Sequence, residues 1–145
     1  MIRPYTINDR EQVVAVFKEN VPKYFDADEE ADLLDYLHKH GDTYFVMEDG
    51  GQIIGCGGYH LNALKTFGRI SWDFFSPDQQ GKGLGKQMVQ HCLDSLREIQ
   101  TLKLITVWTS QLAFSFYAKF GFRQQDVIPN YWGPGLDLYR MDMLP

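Results

Sequence analysis

The chain holds two cysteines, Cys56 and Cys92, among 145 residues. Both lie in apolar segments without the paired spacing of a metal site, so buried thiols are expected rather than a disulfide framework or a zinc centre. No apolar run reaches the roughly 18 residues that mark a membrane span. Met1-Ile2-Arg3-Pro4-Tyr5 lacks the apolar stretch and small-residue cleavage site of a signal peptide. A cytoplasmic protein without a membrane partner is therefore expected. Positive charge is in deficit: 14 Lys and Arg against 19 Asp and Glu give a formal net charge of −5. That balance argues against nucleic acid as a partner. Internal repeats, low-complexity tracts and linkers are also missing.

What remains is the composition of an ordinary globular chain, 44% hydrophobic and 23% charged. At about 150 residues per domain, residues 1–145 are expected to form one domain. A chain of this size buries roughly 68–70% of its unfolded surface and needs no staple.

Arg3 to Ile7 reads as a first strand. Asn8 and Glu11 then have the spacing of a capping box for a helix with Val13, Val14, Val16 and Phe17 on its apolar face. A second helix is expected from near Asp28, with Leu33, Leu34 and Leu37 inward and Gly41 as its stop. Thr43 to Met47, the turn Gly50-Gly51 and Gln52 to Leu61 form a hairpin. Arg69 to Phe75 is a further strand, ended by Ser76-Pro77-Asp78. From Leu84 the apolar residues fall four apart, through Met88, Cys92 and Leu96, which is helical spacing. Leu102 to Trp108 reads as a buried strand, and Leu112, Ala113, Phe116, Tyr117 and Phe120 as a helix stopped by Gly121. Two strands around Trp132-Gly133-Pro134-Gly135 close the chain. This order predicts an α/β fold: one mixed, mostly antiparallel sheet with helices on both faces.

The segment Gln80-Gly81-Lys82-Gly83-Leu84-Gly85-Lys86 sits between a strand end and a helix start. There the first N–H groups have no intrahelical partner and the helix dipole favours an anion. Glycines let a phosphate approach the backbone without a Cβ in the way. The spacing fits neither a P-loop, which needs four residues between its glycines, nor the dinucleotide pattern G-x-G-x-x-G. The plain alternative is a flexible strand–helix connection.

Gln80-x-x-Gly83-x-Gly85 after such a strand resembles the acyl-CoA loop of the GNAT N-acetyltransferase superfamily. Ala113-x-x-Phe116-Tyr117-x-Lys119-x-Gly121-Phe122 resembles the family's second motif, and the element order is similar from end to end. The resemblance implies an acetyl-CoA-dependent N-acetyltransferase. The amides from Gly81 through Lys86, with Gln80, Gly83, Leu84 and Gly85 in the motif, would cradle the CoA pyrophosphate, and Lys82 and Lys86 would add positive charge. Phe74 and Phe75 would lie beside the pantetheine arm through backbone atoms. Tyr117 would be the general acid toward the departing thiolate, a task suited to a phenol with a reference pKa of about 10. Its alternative is a core tyrosine.

Two positions depart from the family pattern. Ser110 stands where many members have an asparagine that contacts the pantetheine, so its hydrogen bond would have a shorter reach. Arg69 stands near the place of a catalytic glutamate. Asp73, four residues on and nominally on the same strand face, and His60, ending the neighbouring strand, are the candidate bases. Each has a plain alternative as a polar residue at a strand end.

Asp26, Asp28, Glu29, Glu30, Asp32 and Asp35 crowd the start of the second helix. They read either as a solvated helix start or as a lure for a cationic acceptor. Trp132 to Asp137 reads either as a cover for the acceptor pocket or as a plain hairpin turn. The leading reading is acetyl transfer to a small-molecule or peptide amine by direct attack in a ternary complex. The alternative is a noncatalytic acyl-CoA-binding module on the same fold. No metal is implied, and the family's habit of dimerising leaves a homodimer open.

Overall fold

Seven strands share one sheet in the computed structural model, which describes residues 1–145. They are β1 (Ile2–Pro4), β2 (Tyr44–Asp49), β3 (Gln52–Leu61), β4 (Phe67–Phe75), β5 (Leu104–Thr109), β6 (Arg123–Gly133) and β7 (Leu136–Met143). Their spatial order is β1-β2-β3-β4-β5-β7-β6, and only β4 and β5 run parallel. A parallel pair needs a crossover, and the helix α3 (Leu84–Arg97) supplies it. The mixed, mostly antiparallel sheet expected from the sequence is the one observed.

Helices α1 (Arg10–Glu19) and α2 (Glu30–His40) cover one face of the sheet. They bury Val13, Val16 and Phe17 with Leu33, Tyr36 and Leu37 against Tyr44, Val46 and Phe74. The other face belongs to α3 and the short α4 (Phe114–Ala118), where Met88, Val89, Cys92, Leu93 and Leu96 pack on Ile70, Ile105 and Val107. Cys56 is in the first core and Cys92 in the second, both buried and unpaired.

Several local expectations need correction. The first strand ends at Pro4, because the Asp9 carboxylate accepts the Thr6 N–H at 2.8 Å and both terminal guanidinium nitrogens of Arg3. Thr6 with Asp9 thus takes the capping role expected of Asn8 with Glu11. Leu34 is exposed, and Tyr36 fills the core position in its place. Gly41 ends α2 with an ordinary helical φ of −60°. It is a close-approach site instead: a Cβ there would meet the Tyr5 ring at 3.2 Å. The predicted helix around Tyr117 shrinks to one short turn of chain, Phe114–Ala118.

Two irregularities of β4 shape everything that follows. The first is a bulge: Gly58 pairs with Ser71 and Cys56 with Phe74, so Gly57 faces two residues, Trp72 and Asp73. Trp72 takes the left-handed φ of 56° that the extra residue requires. It packs toward α1 and α2, beside Phe17 and Phe25, although Ile70 two residues earlier packs toward α3. Asp73 is thereby turned to the α3 side, where a Cβ on Gly57 would overlap its Oδ1. Arg69 stays on the α2 side, paired across the strands with His60. The expectation that Arg69 and Asp73 share a face is therefore wrong, because the bulge breaks the two-residue alternation.

The second irregularity is a splay. The β4–β5 ladder covers only Phe67–Ile70 against Leu104–Val107. Beyond it the strands part, β4 running on to Phe75 and β5 to Thr109.

Candidate functional site

A cavity of about 700 Å³ occupies this opening between the strands, a volume suited to a cofactor or small ligand. Its walls come from both sides of the sheet. One end is bounded by the glycine loop, Phe116 and Tyr117, and the other by α2, His60, Arg69 and the β6–β7 hairpin.

At the first end, Pro77–Gln79 forms a single 3-10 turn and Gly83 precedes α3 as its N-cap. Gly81 and Gly83 adopt φ of 81° and 74°, which ordinary residues resist, and the space where their Cβ atoms would stand is open. No hydrogen bond of the chain uses the N–H groups from Gly81 through Lys86. The first helical bond runs from the Gln87 N–H to the Gly83 carbonyl at 3.2 Å. Consecutive free N–H groups at the positive end of a 14-residue helix make an anion cradle. Lys82 Nζ donates to Gln79 Oε1 at 3.1 Å, and Lys86 lines the cavity. Gln80 Nε2 donates to the Tyr24 hydroxyl at 3.3 Å.

The strand that leads into the loop is anchored from outside. Asn20, buried at the end of α1, donates through Nδ2 to the carbonyls of Val16 and Phe75, both at 2.9 Å. Phe74 packs its ring in the α1–α2 core, while Phe75 turns to the α3 side and fills the space that Gly55 leaves. Ser110 is buried at the cavity wall, and its Oγ accepts the Leu112 N–H at 3.2 Å.

Tyr117 is buried and donates its hydroxyl proton to Asp73 Oδ2 at 3.1 Å. Asp73 Oδ1 is buried with no partner. Burial pushes the Asp73 carboxyl up to about 7, against a smaller downward pull from the Tyr117 bond. The Tyr117 hydroxyl is also pushed well up, first by burial and then by Asp73.

His60 stands on the opposite face, so the two candidate bases are not brought together. Its ring stacks on His40 with centroids 4.6 Å apart and meets the Tyr36 ring edge-on at 5.6 Å. Burial, aided by Arg69 and His40, pushes its pKa down to about 4, so it is neutral at pH 7.

The acidic run divides into distinct tasks. Asp26 and Glu29 form a capping box, with the Asp26 N–H donating to Glu29 Oε2 at 2.8 Å. Glu30 pairs with Lys18 and Asp35 with Lys39. Glu29, Asp32 and Asp35 line the cavity, and burial pushes Glu29 up to about 7. Trp132 lines it too, fixed by its indole N–H on the Thr109 carbonyl at 3.0 Å. The hairpin therefore borders the cavity and also packs on α2's start, where a Cβ on Gly133 would run into the Asp26 carboxylate.

Sequence reasoning missed Asn20 and Tyr24, which reach the site only through the fold, and gave no role to Arg69. Arg69 places its guanidinium carbon 4.3 Å from the centre of the Trp108 ring, inside the cavity.

Comparison with known proteins agrees with this geometry. The model of the Acetyltransferase (GNAT) family matches residues 10–122. An N-alpha-acetyltransferase of Sulfolobus acidocaldarius is 24% identical over 157 residues, spanning 97% of this chain and 89% of that protein. The solved structure of Ard1 from Thermoplasma volcanium superposes with a TM-score of 0.83 at 21% identity, covering 99% of this chain and 96% of that one. N-acetylglutamate synthase from Neisseria gonorrhoeae, solved with coenzyme A and N-acetyl-glutamate, matches at a TM-score of 0.76 and 19% identity. That match covers 99% of this chain and 34% of the synthase.

Proposed function

This chain belongs to the GNAT acetyltransferase family, and from that premise we propose that its 145 residues act as one domain that acetylates an amine by direct attack within a ternary complex. The observation that carries the reading is the run of unused N–H groups from Gly81 through Lys86 opening onto a cavity that crosses the sheet. The cradle suits the CoA pyrophosphate, with Lys82 and Lys86 adding positive charge and Gln80 at its entry. The pantetheine arm would then run along Phe74 and Phe75 toward the splay, past Ser110. The thioester would sit near the bulge, with Tyr117 on its α3 side.

The amine enters from the α2 side. Its ammonium form is attracted by Asp32 and Glu29, and it must lose a proton before it attacks. Glu29, at about 7, is poised for that transfer. Neutral His60 serves as a hydrogen-bond partner for the water that carries the proton. Asp73, on the other face, holds the Tyr117 hydroxyl instead. As the C–N bond forms and the C–S bond breaks, Tyr117 gives its proton to the leaving thiolate. The products are the acetamide and free CoA.

The competing reading, an acyl-CoA-binding module without catalysis, predicts the same ligand binding and no chemistry. Amine-dependent release of free CoA thiol from acetyl-CoA separates the two.

A further inference from the structure

Arg69 is a half-buried cation that the chain leaves without a counter-charge. Lys39, the nearby cation on α2, is already paired with Asp35 at 2.9 Å. Arg69 forms no hydrogen bond with any side chain, and its flat guanidinium lies over the Trp108 ring. A guanidinium held this way keeps its in-plane N–H edge free, which is the edge that grips a carboxylate through two parallel bonds. Burial pulls its pKa down from the ordinary arginine value, which marks a charge short of compensation.

A second group on the same wall lacks a partner. Tyr36 lines the cavity, and its buried hydroxyl, next to Ser71, makes no hydrogen bond within 3.5 Å. Its ring is fixed between Tyr44 at 5.8 Å and His60 at 5.6 Å, so it has little freedom to turn elsewhere. Buried donors left open are uncommon in folded proteins, and an open donor beside an open cation inside a cavity describes an anion's place. Asp32 and Glu29 line the same end of the cavity from α2.

We propose that Arg69 and Tyr36 form a carboxylate subsite, and that the acceptor is a free amino acid, carrying amine and carboxylate on one small molecule. This deepens the reading of the site as an N-acetyltransferase and rests on it. Arg69 and Tyr36 hold the carboxylate while the acidic wall of α2 draws the ammonium end, so the two charges orient the amine toward the thioester. Plain amines and polyamines have nothing for Arg69 to bind and leave its charge uncompensated. Arg69 is a specificity-determining residue in this scheme and takes no proton.

The test is thiol release from acetyl-CoA with a panel of L-amino acids, their α-amides, the corresponding carboxylate-free amines, spermidine and a short peptide. Wild-type protein is expected to favour the best free acid over its own amide by about 10- to 100-fold in kcat/KM, as charged hydrogen bonds imply. Arg69→Met and Tyr36→Phe should collapse that ratio toward one, mainly by raising KM, and Arg69→Lys should recover part of it. A thermal shift with CoA shows that each variant is folded; if Arg69→Met is not, Arg69→Lys and Tyr36→Phe decide. Equal use of acids and amides by wild type, preference for the peptide or spermidine, or an unaltered ratio in the folded variants overturns the subsite while leaving acetyl transfer intact. Absence of thiol release with every acceptor overturns both.

Discussion

Tyr117 and Asp73 share one hydrogen bond, 3.1 Å from hydroxyl to Oδ2, although 44 residues separate them and the second carboxylate oxygen is buried without a partner. With Asp73 ionised, the Tyr117 proton points at the carboxylate. With Asp73 protonated, the carboxyl can donate to Tyr117 Oη and free the phenolic proton for the cavity. A carboxyl pushed up to about 7 populates both arrangements near neutral pH. The pair thus couples proton delivery toward the thiolate to a group that never meets the amine.

Tyr117→Phe is expected to lower turnover by about 10²–10⁴-fold, the range for a lost general acid, with CoA affinity nearly unaltered. Steady-state thiol release together with a CoA thermal shift checks this. Turnover within about threefold of wild type would return Tyr117 to a packing role.

Asp73 should make stability depend on pH in an unusual direction. Between about 4 and 7 an unfolded aspartate has lost its proton while the native Asp73 keeps it. The native state then binds more protons, so this contribution is largest in acid, falls as pH rises through the window and levels off above 7. Asp73→Asn removes that slope. Relative to wild type, the variant should gain stability from pH 4.5 to 8, by at most a few kcal/mol at about 1.4 kcal/mol per pKa unit. Urea unfolding at several pH values tests it, and parallel profiles for the two proteins would contradict it.

Gly83→Val places a β-branched residue at φ 74° and puts methyl groups over the free N–H cradle. The strain is about 1–2 kcal/mol, which a folded domain survives. The variant should therefore melt cooperatively but lose the upward shift that millimolar acetyl-CoA gives wild type. An unaltered shift would place the pyrophosphate elsewhere.

Asp32 is the unpaired carboxylate of α2 that lines the cavity, whereas Asp28 is exposed and stands outside it. Replacing Asp28 and Asp32 with Asn, with the Glu29 base left in place, should lower kcat/KM for a cationic acceptor, mostly at low salt. Exposed charges beyond about 8–10 Å are screened at physiological ionic strength. Asp32→Asn alone should reproduce most of the loss and Asp28→Asn little of it. A double variant with unchanged kcat/KM and salt dependence would leave the acidic run as a solvated helix start.

The loop was legible from Gly81 and Gly83 because left-handed backbone before a helix leaves a glycine signature. The helix α3 was legible because Met88, Cys92 and Leu96 repeat at one spacing. The bulge at Trp72 was not, since neither glycine nor proline marks it on β4; its trace is Gly57 on the neighbouring strand, where a Cβ would overlap Asp73 Oδ1. Missing it put Asp73 and Arg69 on one face. Asn20 was invisible for another reason: its bond to the Phe75 carbonyl spans 55 residues, and only the closed fold brings them together. The acidic run mixed three functions (capping, ion pairing and cavity lining) that composition alone cannot separate.

The most direct test of acetyl transfer across the splayed strands is the initial rate of CoA thiol release with acetyl-CoA and an amine varied together. A saturable, amine-dependent rate with intersecting double-reciprocal lines is expected for direct attack in a ternary complex. Acetyl-CoA binding without amine-dependent thiol release would make the protein a binding module, and parallel lines would replace direct attack with an acetylated enzyme.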